Sequence, residues 1–124
     1  MLLKDFYTIT SLENNEGQKY SVTLMINPKH EVFGGHFPGN PIMPGVCMMQ
    51  IIKELTEKVT ESTLLMESLS NVKFMALINP DLTPELRLEM DVIEMEEGKV
   101  KVKNTTYFGD TVALKLVSVY KKIG

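Results

Sequence analysis

Pro44-Gly45-Val46-Cys47-Met48-Met49-Gln50-Ile51-Ile52-Lys53-Glu54-Leu55 opens the one segment of this chain whose apolar pattern predicts a helix. Val46, Cys47, Met48, Met49, Ile51, Ile52, Leu55 and Val59 form a broad apolar set, and charge enters only at Lys53. The first two turns are apolar almost all round, so burial is expected there. Pro44 suits the start, because its missing N–H falls among the donors that a first helical turn leaves unpaired.

On both sides of this segment the apolar period changes to two. Tyr20, Val22, Leu24 and Ile26 alternate with Ser21, Thr23 and Met25. Leu86, Leu88, Met90 and Val92 alternate with Arg87, Glu89 and Asp91, and Val100 and Val102 with Lys99, Lys101 and Lys103. Each pattern gives a strand with one dry and one wet face. Strands are expected over 5–12, 19–26, 69–78, 84–95, 99–108 and 111–121. Turn chemistry separates most of them: Glu13-Asn14-Asn15-Glu16-Gly17, Asn79-Pro80-Asp81, Glu96-Glu97-Gly98 and Gly109-Asp110. Residues 27–44 hold Gly34, Gly35, Pro38, Gly39, Pro41 and Pro44 and read as a long loop without a regular element. A strand pair, a loop, a buried helix and four antiparallel strands make an α+β arrangement, a curved sheet wrapped around one helix. One helix cannot cover both faces of such a sheet, so pairing with a second copy is expected.

The 124 residues predict one domain over 1–124, with 44% hydrophobic and 23% charged residues sufficient for a core. Thirteen Lys and Arg against sixteen Asp and Glu give a net charge of −3, which provides no basic field for nucleic acid. The single Cys47 allows no internal disulfide, and no Cys/His cluster has metal-ligand spacing, so neither metal nor cofactor is expected. The N-terminal Met1-Leu2-Leu3-Lys4-Asp5 meets charge too soon for a secretory signal. The uncharged stretch 36–52 is interrupted by three prolines, which argues against a membrane span. The expectation is a cytoplasmic protein with no membrane partner.

His36 stands in the Gly/Pro loop immediately ahead of the helix. Imidazole titrates nearest neutrality, so a rigid loop holding it against an apolar wall makes it a candidate general base. The alternative is a structural hydrogen-bonding histidine. Gly45, at the helix start, offers a backbone N–H in the favourable field of the helix dipole, suited to a developing oxyanion. His30, beside Asn27-Pro28-Lys29 and Glu31, reads as a structural hydrogen-bonding residue in a solvated turn, with no catalytic role. Gln50 is polar within an apolar run, so its amide requires a partner, a water or a polar cavity. Cys47 reads as a small buried hydrophobe, and Met43, Met48 and Met49 as adaptable filler.

His36-Phe37-Pro38-Gly39-Asn40-Pro41-Ile42-Met43-Pro44-Gly45-Val46 resembles the signature loop of the hotdog-fold 3-hydroxyacyl-ACP dehydratases, the FabZ and FabA type. The strong part of the resemblance covers residues 33–55. It implies a hotdog fold, His36 as catalytic base, the Gly45 N–H on the thioester carbonyl and the Ile42 carbonyl orienting the imidazole. Phe37, Pro44 and Val46 are carried along as substrate-lining positions. The family places a carboxylate fourteen residues after the histidine, contributed across a dimer; here that position is Gln50. An amide can donate a hydrogen bond to the leaving hydroxyl or hold a water, but it cannot supply a proton.

Three readings follow. The first is a 3-hydroxyacyl-thioester dehydratase acting on acyl-ACP or acyl-CoA in fatty acid or related acyl-chain biosynthesis, with His36 and Gln50 as its catalytic pair. The second is a hotdog acyl-CoA thioesterase. The third is a non-catalytic acyl-binding subunit of a heteromeric dehydratase. A homodimer, a larger assembly of dimers or a heterodimer is the expected state. Lys29 and Lys53 are the candidates for a basic patch facing an acidic carrier, while Lys99, Lys101 and Lys103 share one wet strand face.

Overall fold

Alternation along the strands becomes rows of buried side chains once the register is set. The computed structural model describes residues 4–34 and 42–124. The strands are β1 (Tyr7–Glu16), β2 (Lys19–Ile26), β3 (Leu64–Phe74), β4 (Glu85–Glu94), β5 (Lys99–Phe108) and β6 (Thr111–Lys122). They form one antiparallel sheet in the order β1-β2-β4-β5-β6-β3. Val22 lies opposite Leu88, Leu88 opposite Thr106 and Thr106 opposite Leu114, and all four are buried. A single-residue slip would turn every one of them to the outer face, which pins the register.

Two helices lie between β2 and β3: the single turn α1 (Glu31–Gly34) and the long α2 (Gly45–Thr60). Cys47, Met48, Ile51, Ile52, Leu55 and Thr56 of α2 are buried in the core with the inner sheet residues. Fully burying a Leu or Ile side chain contributes about 1.5–3 kcal/mol, so this face anchors the helix. The Pro44 carbonyl accepts the first helical bonds, from the N–H groups of Cys47 (3.0 Å) and Met48 (3.3 Å). At the other end Glu61 adopts a left-handed conformation (φ 52°), and the Glu57 carboxylate accepts the Leu64 N–H at 2.8 Å, leading the chain into β3.

Three expectations change. The first two turns of α2 are not buried all round: Val46 is 68% exposed, and Met49 and Gln50 are half-buried. The sheet covers one side of the helix, and these residues lie on the other. The segment 27–44 contains α1, whose N-terminus is held by His30. The His30 Nδ1 accepts the Val32 N–H (3.1 Å), its Nε2–H donates to the Lys4 carbonyl (3.0 Å), and its ring meets Phe6 edge-on at 5.0 Å. His30 is therefore the structural hydrogen-bonding residue that the sequence suggests, with both ring nitrogens occupied, although its ring is half-buried rather than fully solvated. Finally, β3 begins and ends earlier than its apolar residues suggest. It is an edge strand with irregularities between Met66 and Ser68 and between Ser70 and Lys73, so alternation is lost. The apolar Met75–Ile78 stretch forms no strand. Instead the N–H groups of Met75 and Ala76 donate to the Ala113 carbonyl, and the Ile78 carbonyl accepts the Met43 N–H.

Candidate active site

The N-terminus of α2 opens on an apolar cavity of about 440 Å³. Met43, Gly45 and Met48 line it from the helix side, and Phe74, Leu77 and Leu114 line it from the sheet side. Because intrahelical bonding begins with the Cys47 N–H, the N–H groups of Gly45 and Val46 have no partner within the helix. A carbonyl oxygen seated there would meet unpaired donors at the positive end of the helix dipole. Phe74 packs closely on this point: a Cβ at position 45 would come within 2.8 Å of its Cζ. Glycine is what allows the ring and the helix start to share the space. A larger cavity, about 630 Å³, lies on the outer sheet face among Lys19, Lys73, Lys103, Lys115, Glu89 and Asp91, and Gly45 does not line it.

Gln50 lies one and a half turns further along α2. Its Nε2 donates to the Glu54 carboxylate at 2.9 Å, and the Tyr7 hydroxyl donates to the other Glu54 oxygen at 2.8 Å. The partner of the half-buried amide is thus a carboxylate one helical turn away. Burial, the bond to Glu54 and the nearby negative charge together hold the Tyr7 phenol well above its ordinary titration range. Burial also pushes the Cys47 thiol up, which disfavours its thiolate.

His36 and Phe37 lie in 35–41, outside the described residues, and so do the contacts expected between His36 and the Ile42 carbonyl. Of the other expected site positions, Gly45 lines the cavity, Pro44 caps the helix that carries it, Ile42 is half-buried and Val46 is exposed. Lys29 is exposed and Lys53 half-buried. Lys99 pairs with Glu67 at 3.2 Å, so one of the three strand lysines is already engaged. Glu54 and Tyr7 were missed in the sequence. The i, i+4 spacing of Gln50 and Glu54 was a usable signal, but the approach of Tyr7 depends on where β1 packs.

A six-stranded antiparallel sheet around one long helix, with a cavity at the helix start, is the hotdog architecture. The ApeI-like family model, described as ApeI dehydratase, matches residues 12–113, and the chain belongs to this family. The 3-hydroxyacyl-[acyl-carrier-protein] dehydratase FabZ of Lactobacillus helveticus is 31% identical over 96 residues, covering 72% of this chain and 65% of that protein. FabZ of Levilactobacillus brevis is 29% identical over 108 residues, covering 82% and 72%. The chain thus spans just under two thirds of the first relative's length and somewhat more of the second. Among solved structures, the dehydratase heterocomplex ApeI:P from Xenorhabdus doucetiae superposes with a TM-score of 0.74 at 19% identity, covering 93% of this chain and 97% of that one. A hypothetical thioesterase with coenzyme A from Streptococcus pneumoniae gives 0.69 at 11% identity, covering 99% and 91%. At such identities these two similarities speak to the fold alone.

Proposed function

We propose that this chain dehydrates a 3-hydroxyacyl thioester to the 2-enoyl thioester, the acyl group being carried by ACP or CoA. The observation that carries this reading is an apolar cavity lined by Gly45 at the start of α2, where the first N–H groups have no partner within the helix, in a chain of the ApeI-like dehydratase family. The cavity suits an acyl chain, and the helix start suits the thioester carbonyl. Polarising that carbonyl acidifies the C2 proton, which His36 removes as base. The C2–H bonding pair becomes the new double bond, and the 3-hydroxyl departs from C3 with its own pair, becoming water once it gains a proton. In this reading the Gln50 near the leaving hydroxyl comes from a second chain, and Ile42, Phe37, Pro44 and Val46 shape the approach.

The proposed working state is a dimer of hotdog chains, in the cytoplasm. Val46, Phe74, Met75 and Leu77 are large exposed apolar residues beside the cavity that a second chain would cover. A different partner chain is the alternative to self-pairing. Gln50, at the position where the family pattern has a carboxylate, supports that alternative, since a partner could supply the acid. Among the described residues no helix is long and apolar enough to cross a membrane.

Mass-spectrometric detection of 2-enoyl product from 3-hydroxyacyl-ACP and 3-hydroxyacyl-CoA tests the reaction. Wild type should form product, and His36→Ala should lose at least about 10²-fold in rate, the usual contribution of a positioned base. Equal rates in the two proteins would remove His36 from the mechanism, and release of free thiol instead of enoyl product would redirect the reading to hydrolysis.

A further inference from the structure

The side chain that holds Gln50 is a carboxylate that the reaction scheme above does not use, and both stand on α2 outside the lining of the Gly45 cavity. Glu54 lies one helical turn beyond Gln50 and is half-buried. It accepts from Gln50 Nε2 at 2.9 Å and from the Tyr7 hydroxyl at 2.8 Å. A primary amide can be turned either way, with oxygen and nitrogen exchanged, and at a solvated site the two orientations are close in energy. An ionised carboxylate removes that freedom, because it only accepts: the nitrogen must face Glu54 and the oxygen must face away. A charge-assisted bond of this length is also stronger than one between neutral groups. One Nε2 hydrogen is thereby committed to Glu54, and the second remains available.

We propose that Glu54 is a positioning residue for dehydration: by fixing the Gln50 amide, it aims the second Nε2 hydrogen at the 3-hydroxyl oxygen as that oxygen leaves. The role rests on the dehydratase reading above. It also closes the proton balance without an acid on α2. His36 takes the C2 proton, the C3–O bond breaks with its pair on oxygen, and the imidazolium returns the same proton to that oxygen, so water leaves and His36 is neutral again. Gln50 contributes a hydrogen bond to the developing negative charge and transfers no proton. Tyr7 donates to the other oxygen of Glu54, which helps to hold the carboxylate in place.

The pairing makes a definite statement about variants. Gln50→Glu alone sets two carboxylates within hydrogen-bond distance, which cannot both ionise comfortably. Steady-state kinetics on a 3-hydroxyacyl thioester would be run for wild type, Glu54→Gln and His36→Ala. Glu54→Gln, which permits both amide orientations, should lower kcat about tenfold with KM within about twofold. Nuclear magnetic resonance of the wild-type Gln50 carboxamide should show one Nε2 hydrogen slow to exchange with water, and Glu54→Gln should abolish the difference between the two.

Unchanged kcat in Glu54→Gln beside an inactive His36→Ala would overturn the role of Glu54 and leave the dehydratase reading intact. Two equally fast-exchanging Gln50 hydrogens in the wild type would overturn it as well, whatever the kinetics. His36→Ala turning over like wild type would instead overturn the dehydratase reading on which the role depends.

Discussion

Tyr7 shows how one side chain links the edge of the sheet to the exposed side of α2. Its ring is half-buried, and its hydroxyl donates to Glu54. Burial, that bond and the adjacent carboxylate all oppose ionisation, so its folded-state titration lies above the ordinary value near 10.0. For an acid whose folded pKa is raised, the native state keeps a proton that the unfolded chain gives up. The contribution is therefore complete below the unfolded pKa and is lost as pH rises above it. Unfolding free energy of the wild type should fall as pH climbs past about 10. Tyr7→Phe should show a shallower decline, because the group responsible is gone. Buried Tyr120 is shifted in the same direction, mainly by desolvation, and should supply the slope that remains. Urea titrations at a series of alkaline pH values compare the two proteins; parallel curves would show that the Tyr7 phenol is no more difficult to ionise when folded. At neutral pH the same substitution should cost about 1 kcal/mol, the usual net value of one hydrogen bond.

Among the elements, β3 departs most from its apparent pattern, and Asn71 shows why. It has φ 52° within the strand, between the paired Ser70 and Lys73, where the register with β6 slips. Left-handed backbone costs an ordinary residue about 1–2 kcal/mol, and Asn is one of the few that tolerate it. Asn71→Gly should be neutral or slightly stabilising in a urea melt, and Asn71→Val should lose about 1–2 kcal/mol through the β-branch. Equal stability of the two variants would mean that the strand can straighten at no cost. In α2 the contrast lies between its two sides. Leu55 is fully buried, so Leu55→Ala should cost about 2–5 kcal/mol, whereas Val46→Ala, at a largely exposed position, should stay within about 0.5 kcal/mol in the isolated chain.

For the whole molecule, the proposed pairing raises the question of which surface a second chain would cover. The sheet ends in β1 on one side and β3 on the other, and both strands carry register irregularities. Bulged edges twist their free backbone groups away from flat pairing, a common protection against edge-to-edge association. The exposed apolar residues near the cavity, Val46 (68%), Phe74 (57%), Met75 (58%) and Leu77 (73%), are the more attractive contact. We expect the chain to sediment as a dimer or larger species at micromolar concentration, and Phe74→Glu/Leu77→Glu to raise the monomer fraction. If the double variant associates as strongly as wild type, pairing runs through a strand edge instead. A wild type that stays monomeric until a different hotdog chain is added would favour the heteromeric arrangement.

Much of the architecture was legible along the chain, since each strand from β4 to β6 carries its own alternation and turn residues, and β5 begins and ends where its composition does. The start of α2 after Pro44, the placement of Gly45 at that start and the need of Gln50 for a polar partner are local facts of the same kind, set by backbone sterics and hydrogen-bond capacity. Only the folded molecule decided which side of α2 meets the sheet, that β3 leaves β2 and pairs with β6, that His30 ties α1 to the N-terminal segment, and that Tyr7 reaches Glu54. Those outcomes depend on groups far apart in the chain meeting in space, from 26 residues for His30 and Lys4 to 58 for Leu64 and Lys122. Local periodicity carries no information about them, because they are chosen by the mutual burial of faces rather than by the preferences of any one segment.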